Sequence, residues 1–102
     1  MLDLRLGESG EVVLAGRFDA SQADKAQAFF DAVPELRVVD FKSLDYISSA
    51  GLGVLLKTQK RLMAAGKGLV FVNVGKHIFD ILHYSGFDQI FKIEGGPQGP
   101  QG

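Results

Sequence analysis

Residues 38–63 decide the fold, and they read V-V-D-F-K-S-L-D-Y-I-S-S-A-G-L-G-V-L-L-K-T-Q-K-R-L-M. The first four residues of this stretch are mainly β-branched and aromatic, which predicts a buried strand. Further on, apolar side chains recur at a spacing that places them on one face of a helix: Leu52, Leu55, Leu56, Leu62 and Met63. The stretch is therefore predicted to be a strand, a turn over residues 46–53 and a long helix.

Two serines stand where this strand gives way to the helix. Ser48 and Ser49 occupy the place at which a helix favours a hydroxyl, because a capping serine accepts from the free backbone N–H groups of the first turn. Ala50, Gly51 and Gly53 make the turn compact. We expect both hydroxyls at the positive end of the helix dipole, where an anion can be held. Position alone favours the simpler interpretation, that the serines only cap the helix.

Composition limits the possible functions. The 102 residues are 46% hydrophobic, enough for one domain with one core. Eleven basic and twelve acidic residues give a net charge of −1 with no basic cluster, which argues against direct binding of nucleic acid or of an anionic membrane. The absence of cysteine excludes disulfides, thiolate metal sites and a cysteine nucleophile. There is neither a signal-peptide pattern nor an apolar run of membrane-spanning length, so we expect a cytoplasmic protein.

The rest of the chain alternates strands with helices. Strands are predicted over residues 2–6, 11–17, 36–41, 69–74 and 89–93, the first two forming an antiparallel hairpin. The first helix is predicted to be capped by Ser21 and stopped by Pro34, and the third to cover residues 76–84. The first helix should turn one apolar face to the sheet: Ala26, Phe29, Phe30 and Val33.

This order of elements predicts an α/β fold. A mixed β-sheet should combine the N-terminal hairpin with right-handed βαβαβ crossovers, and the helices should lie mainly on one face. We assign residues 1–94 to this single domain. Residues 95–102 read G-G-P-Q-G-P-Q-G and have nothing to bury, so a disordered Gly/Pro/Gln tail is expected.

Residues 44–56, L-D-Y-I-S-S-A-G-L-G-V-L-L, resemble the signature of STAS domains, above all the bacterial anti-sigma factor antagonists. The flanking segments agree with the resemblance: G-R-F-D-A-S at 16–21, R-L-M-A-A-G-K-G-L-V-F-V-N-V at 61–74 and I-L-H-Y-S-G-F-D-Q-I-F at 81–91. Two features depart from the family pattern. Ser48 stands where many members carry aspartate before the phosphorylated hydroxyl, and the Gly-Pro tail replaces a further C-terminal helix.

The resemblance implies a partner switch. Members of this family bind an anti-sigma factor serine kinase when unphosphorylated and lose that binding when the kinase phosphorylates them; a PP2C-type phosphatase is the implied second partner. By position, Ser49 is the phosphorylated residue. The implied partner-binding residues are Asp19, Ser48, Ala50, Gly51 and Leu52. The resemblance implies neither a catalytic role nor a cofactor, and we expect a monomer or weak dimer.

Asp19 has two interpretations. Next to Ser49 it could orient the hydroxyl or hold magnesium with the kinase's nucleotide, and it would repel a phosphoserine. It could equally well only close the turn before the first helix.

Other chemistry has little support in the sequence. The segment Gly51 to Gly53 lacks the third glycine and the lysine of nucleotide-binding motifs. His77 and His83 are six residues apart and share a helix face poorly, so a metal pair is not expected. A hydrolase would need Ser49 activated by one of these histidines, but the G-x-S-x-G elbow is missing.

A second hypothesis predicts the same fold but a different function. In it the chain is an accessory or scaffold subunit whose same surface docks a transporter ATPase or a signalling complex without phosphorylation.

Overall fold

A computed structural model describes residues 1–33 and 35–94 of the chain. The strands are β1 (Leu2–Leu6), β2 (Val12–Phe18), β3 (Val38–Ile47), β4 (Val70–Val72) and β5 (Lys92–Glu94). The helices are α1 (Ala23–Ala32), α2 (Ser49–Ala64) and α3 (Lys76–Tyr84), with single 3-10 turns at Ala20–Gln22 and Phe87–Gln89. Pro34, predicted to end the first helix, and the tail predicted over residues 95–102 lie outside the described residues.

The five strands form one mixed sheet in the order β1-β2-β3-β4-β5. β1 pairs with β2 antiparallel, whereas the β2–β3, β3–β4 and β4–β5 pairs are parallel. Parallel neighbours need a crossover, and here each crossover contains one of the three helices. The predicted mixed α/β fold with an N-terminal hairpin is confirmed.

One face of the sheet forms the core. On β2 the side chains of Val12, Leu14 and Phe18 are fully buried, and the residues between them are half-buried or exposed. The helices add their apolar faces to the same cluster, with Phe30 from α1 and Leu55 from α2 among its members. This alternation is typical of a sheet that is covered by helices on one side and open on the other, as predicted.

The third strand is longer than predicted. The pattern indicated a strand over residues 36–41 and a turn from Tyr46, but β3 continues to Ile47. The pairing with β2 shifts register twice, because Val13 and Ala15 lie opposite Asp40 and Ser43, and a second shift follows Gly16. Such bulges break the two-residue alternation on which the prediction depended.

Other boundaries also differ. Ser21 does not cap α1; it lies in the 3-10 turn, and α1 begins at Ala23 without a side-chain cap. Met63, predicted on the buried face of α2, is 57% exposed. The last strand was predicted over residues 89–93, but a 3-10 turn ends at Gln89 and β5 begins at Lys92.

Candidate functional site

The candidate site forms where β2 and β3 end side by side. Phe18, the last residue of β2, pairs with Ile47, the last residue of β3. The next backbone N–H, that of Ser48, donates to the Phe18 carbonyl oxygen at 2.9 Å. Asp19 and Ser48 therefore leave neighbouring parallel strands at the same edge of the sheet, the carboxyl edge, where open α/β sheets commonly bind their ligands.

Ser48 is the N-cap of α2. Its backbone is extended, with φ −88° and ψ 172°, and its Oγ accepts from the Gly51 N–H at 3.1 Å. The Ser48 carbonyl accepts the first helical hydrogen bond, from the Leu52 N–H at 2.9 Å. One of the unpaired donors of the first turn is thus satisfied by this serine, as the sequence predicted.

Ser49 is the first residue of α2, and its side chain is exposed. Its hydroxyl makes no hydrogen bond to any other part of the chain that the structure describes. The first turn of α2 carries no acidic side chain. Of the two predicted hydroxyls, one is therefore used by the helix and the other is open to solvent at the positive end of the helix dipole.

Gly51 is buried under this turn. A Cβ atom at this position would lie 2.9 Å from Ile47 Cγ1 and 3.1 Å from the Phe18 ring. The first turn of α2 can approach the ends of β2 and β3 this closely only because residue 51 has no side chain. Gly51 therefore has a packing role, and its predicted contact with a partner stays a prediction.

Asp19 is half-buried and engaged locally. Its Oδ1 accepts from the Ser21 hydroxyl at 2.9 Å, and its carbonyl accepts from the Gln22 N–H at 3.0 Å. It therefore closes the 3-10 turn that precedes α1, which was one of the two predicted roles. The other role, orienting the Ser49 hydroxyl, is not seen, because the hydrogen bond of this carboxylate goes to Ser21.

A shallow groove of about 360 Å³ runs between α1 and α2 next to this turn. It is lined by Ala23, Asp24, Gln27, Ala50, Gly53, Val54, Leu56 and Lys57. A Cβ on Gly53 would meet nothing within 4 Å. Ala50 is half-buried and lines the groove, whereas Leu52 is half-buried and packs against the core.

Two glutamines at the helix contacts were not singled out from the sequence. Gln27 Nε2 donates to Thr58 Oγ1 at 3.1 Å, which joins α1 to α2 beside the groove. Gln59 is only 4% exposed; it accepts from the Leu69 N–H at 2.7 Å and donates to the Ile90 carbonyl at 2.9 Å. The only signal was that polar residues occupy an otherwise apolar helix face.

Within the described residues, neither histidine forms a hydrogen bond with Ser48 or Ser49. His77 and His83 are exposed on α3, and His83 Nδ1 lies 2.8 Å from Asp88 Oδ2. Within residues 1–33 and 35–94, no group of three His, Asp or Glu side chains could hold a metal ion. Across the same ranges, no helix combines the length and the apolar character that crossing a membrane requires.

Comparison with known protein families and sequences shows what the chain is similar to. A family model described as "Mlab, STAS domain" matches residues 3–94. BtrV of Bordetella bronchiseptica, named as a candidate anti-sigma factor antagonist, is 40% identical over 75 residues, which are 72% of this chain and 58% of BtrV. The chain thus spans little more than half the length of BtrV.

Solved structures share the fold. One is a candidate anti-sigma factor antagonist of Thermotoga maritima, with a TM-score of 0.73 and 19% identity over 91% of this chain and 85% of that one. Another is the anti-sigma factor antagonist SpoIIAA in its unphosphorylated form, with a TM-score of 0.70 and 17% identity over 91% of this chain and 87% of SpoIIAA. At these identities the likeness establishes the architecture alone.

Proposed function

The chain belongs to the STAS domain family, and on that basis we propose that it is an anti-sigma factor antagonist that acts by partner switching. In this proposal the unphosphorylated protein binds a serine-kinase anti-sigma factor in the cytoplasm. Phosphorylation of Ser49 by that kinase ends the binding, and a PP2C-type phosphatase restores it. The description of BtrV as a candidate antagonist supports this role.

The proposal depends on the difference in hydrogen bonding between Ser48 and Ser49. Ser48 Oγ already accepts from the Gly51 N–H, whereas the neighbouring Ser49 hydroxyl is exposed and makes no such bond among the described residues. A kinase can therefore reach Ser49 without unwinding the helix. Thr58, another hydroxyl on α2, is fully buried and donates to the Val54 carbonyl at 2.9 Å, so it does not compete.

The domain itself should tolerate the phosphate. A phosphoserine brings a charge of about −1.5 to −2, and at a helix N-terminus that charge is favoured by roughly 0.3–2 kcal/mol. The first turn of α2 holds no carboxylate that would oppose it. Phosphorylation is therefore expected to leave the fold intact.

A docked partner should not tolerate it. Burying an unpaired dianion in an interface built for a hydroxyl costs several kcal/mol, and each ~1.4 kcal/mol is a tenfold loss of affinity. Asp19 follows the last residue of β2 and lies at the same edge of the sheet as Ser48. Its carboxylate adds a second negative charge to this edge. The switch would thus act on binding while the domain stays folded.

The test is to incubate the protein with the candidate kinase and ATP and to locate the phosphate by mass spectrometry. Wild type should gain one phosphate on Ser49, Ser49→Ala should gain none, and the matched control Ser48→Ala should still be modified. A phosphate that persists in Ser49→Ala, or that is found on Ser48, would contradict the site assignment.

A second candidate function has one observation in its favour. Ser48 replaces the aspartate expected before the phosphorylated residue. In that role the same edge docks a transporter ATPase without being phosphorylated. The two functions separate in one binding experiment, because an accessory subunit should copurify with its ATPase whether or not a kinase and ATP have been present.

We further propose that the domain binds and does not catalyse. Ser49 lacks a base, since the only hydrogen bond of either histidine in the described residues joins His83 to Asp88. A serine hydrolase needs such a base within hydrogen-bonding reach of its nucleophile.

A further inference from the structure

Charge is distributed unevenly along the chain. Residues 46–79 contain five basic side chains and no acidic one, so all twelve acidic residues lie outside this segment. The segment includes the whole of α2, which carries three of the five basic residues: Lys57, Lys60 and Arg61. A chain with a net charge of −1 therefore has one long helix that is purely basic.

Two of these three positive charges are not neutralised by a neighbour. Arg61 Nε lies 3.4 Å from Asp31 Oδ1, so this cation is paired with α1. Lys57 and Lys60 are exposed, and within the described residues neither forms a salt bridge. Lys57 lines the groove between the helices together with Asp24, but the two are not bonded. Both lysines are thus available to groups from outside.

One side of α2 combines exposed positive and apolar side chains. Because an α-helix turns by about 100° per residue, five residues lie within about 40° of one line along it. They form what we call the outer stripe of α2: Ser49, Gly53, Leu56, Lys60 and Met63. Lys60 is exposed and Met63 is 57% exposed, whereas Thr58 on the opposite side of the helix is fully buried. The outer stripe therefore faces away from the sheet.

We propose that the outer stripe is a docking surface for an acidic segment of the partner that binds at Ser49. In the complex, carboxylates of the partner face Lys57 and Lys60, and its apolar side chains contact Leu56 and Met63. This inference rests on the proposed function, because that function supplies the partner. It adds the chemistry by which the partner is recognised.

The outer stripe and the phosphorylation site have separate roles. Lys60 lies eleven residues from Ser49, which is about 16 Å along the helix. That is about twice the Debye length of ~8 Å at physiological salt, so a phosphate on Ser49 affects the contacts of Lys60 little. The stripe thus determines which partner binds, and Ser49 determines whether it stays bound.

An anionic membrane would attract the same lysines, but the packing of α2 favours a protein. A helix that lies in a membrane surface immerses its apolar face among the lipids. The apolar face of α2, which includes Leu55 and Leu62, is instead buried in the core of the domain. The exposed Met63 and half-buried Leu56 provide anchors for side chains of a partner rather than a face that can be immersed.

The test measures the affinity for the purified candidate kinase by calorimetric titration at several salt concentrations. The double variant Lys57→Glu with Lys60→Glu should bind at least about tenfold more weakly than wild type, because attraction at two positions becomes repulsion. Its affinity should also fall less steeply as salt is raised. Met63→Gln removes an apolar anchor without changing the charge, and should bind at least about threefold more weakly.

The matched control is the double variant Lys25→Glu with Lys42→Glu. It makes the same change in net charge at exposed positions on α1 and β3, outside the outer stripe, and should bind like wild type. Thermal melts should show that both double variants are folded. Equal losses of affinity in the two double variants, or wild-type affinity in Lys57→Glu with Lys60→Glu, would overturn the proposal.

The separate roles are tested by combining the substitutions. Ser49→Asp should lower the affinity by the same factor in wild type and in Lys60→Glu, because distant sites act additively. Factors that differ more than about threefold would overturn the separation.

Two further outcomes distinguish this proposal from its neighbours. A wild type that does not bind the kinase would overturn the proposed function and the docking surface with it. Weaker binding by Lys57→Glu with Lys60→Glu, together with no phosphate on Ser49, would overturn the switch and support the docking surface. Sedimentation with phosphatidylglycerol vesicles that is lost in the same double variant would assign the outer stripe to a membrane and overturn the proposal.

Discussion

At the scale of single residues, Ser48 and Ser49 differ because a helix begins between them. The residue just before the first helical position can fold its hydroxyl back onto the first turn, and Ser48 does so at 3.1 Å from the Gly51 nitrogen. Ser49 already has helical backbone angles, and its exposed hydroxyl does not cap the helix. A shift of one residue in the helix start would exchange these roles.

Replacing the two serines in turn should therefore give different stabilities. Ser48→Ala removes the cap and should lower the free energy of unfolding by about 1 kcal/mol. Ser49→Ala removes an exposed hydroxyl from a helical position and should change it by less than about 0.5 kcal/mol. Urea denaturation followed by circular dichroism measures both.

Ser48→Asp is the control for this pair, because aspartate caps a helix as well as serine does. Its free energy of unfolding should lie within about 0.5 kcal/mol of that of wild type. Equal losses in Ser48→Ala and Ser49→Ala would show that the cap is not where the structure places it.

Two glycines of α2 should respond to alanine in opposite directions. In Gly51→Ala the new methyl group meets Ile47 and Phe18 at about 3 Å, and the overpacking should cost roughly 1–3 kcal/mol. In Gly53→Ala the methyl group enters open space, and the higher helix propensity of alanine should add about 0.5–1 kcal/mol. Melting temperatures of the two variants, measured side by side, test the prediction.

The sequence predicted a capping serine and a compact turn, but not which serine caps. Helix boundaries inferred from a pattern are uncertain by more than the one residue that separates Ser48 from Ser49. The role of Asp19 was also left open, since its bond to the Ser21 hydroxyl arises from a 3-10 turn that the sequence did not indicate. Both questions needed coordinates.

At the scale of elements, α2 is joined to its neighbours through the buried amide side chain of Gln59. Gln59 accepts from the Leu69 N–H just before β4 and donates to the Ile90 carbonyl before β5. Two connecting segments without regular pairing are thereby attached to the middle of one helix. Buried polar groups that are fully paired in this way fix the positions of the elements that they join.

Replacement of Gln59 should loosen both segments. Gln59→Leu leaves the Leu69 N–H and the Ile90 carbonyl without a partner, which should cost about 1–3 kcal/mol for each group that stays buried. Lys60→Leu, at the next and exposed position, is the matched control and should change stability little. Amide hydrogen exchange should show faster exchange at Leu69 in Gln59→Leu alone. Unchanged protection there would contradict the assigned role.

The strands and helices with the most regular spacing of apolar residues were predicted most accurately. β1 and α3 have the bounds that alternation and helical spacing predicted. β3 was predicted too short because its bulges place Lys42 and Ser43 in succession on the exposed side, where the pattern resembles a turn. Met63 follows the apolar spacing of α2 but is 57% exposed in its last turn, whereas the adjacent Leu62 is buried.

At the scale of the whole molecule, phosphorylation should lower the affinity for a partner while leaving the stability of the domain nearly unchanged. Ser49→Asp places a negative charge at the N-terminus of α2, so its melting temperature should stay within a few degrees of wild type. Its affinity for the proposed kinase partner should fall at least about tenfold. Calorimetric titration and thermal melts on the same samples measure the two quantities, with Ser49→Ala as the uncharged control. Equal binding by Ser49→Asp and Ser49→Ala would remove the switching mechanism.

The spatial sequence of the strands repeats their sequence along the chain, from β1 to β5. No strand has to be inserted between two that are already paired; each one adds to the edge that the previous strand has just formed. A nascent polypeptide leaving the ribosome could therefore assemble this sheet in the order of synthesis, with each helix closing over the core as its own crossover is completed.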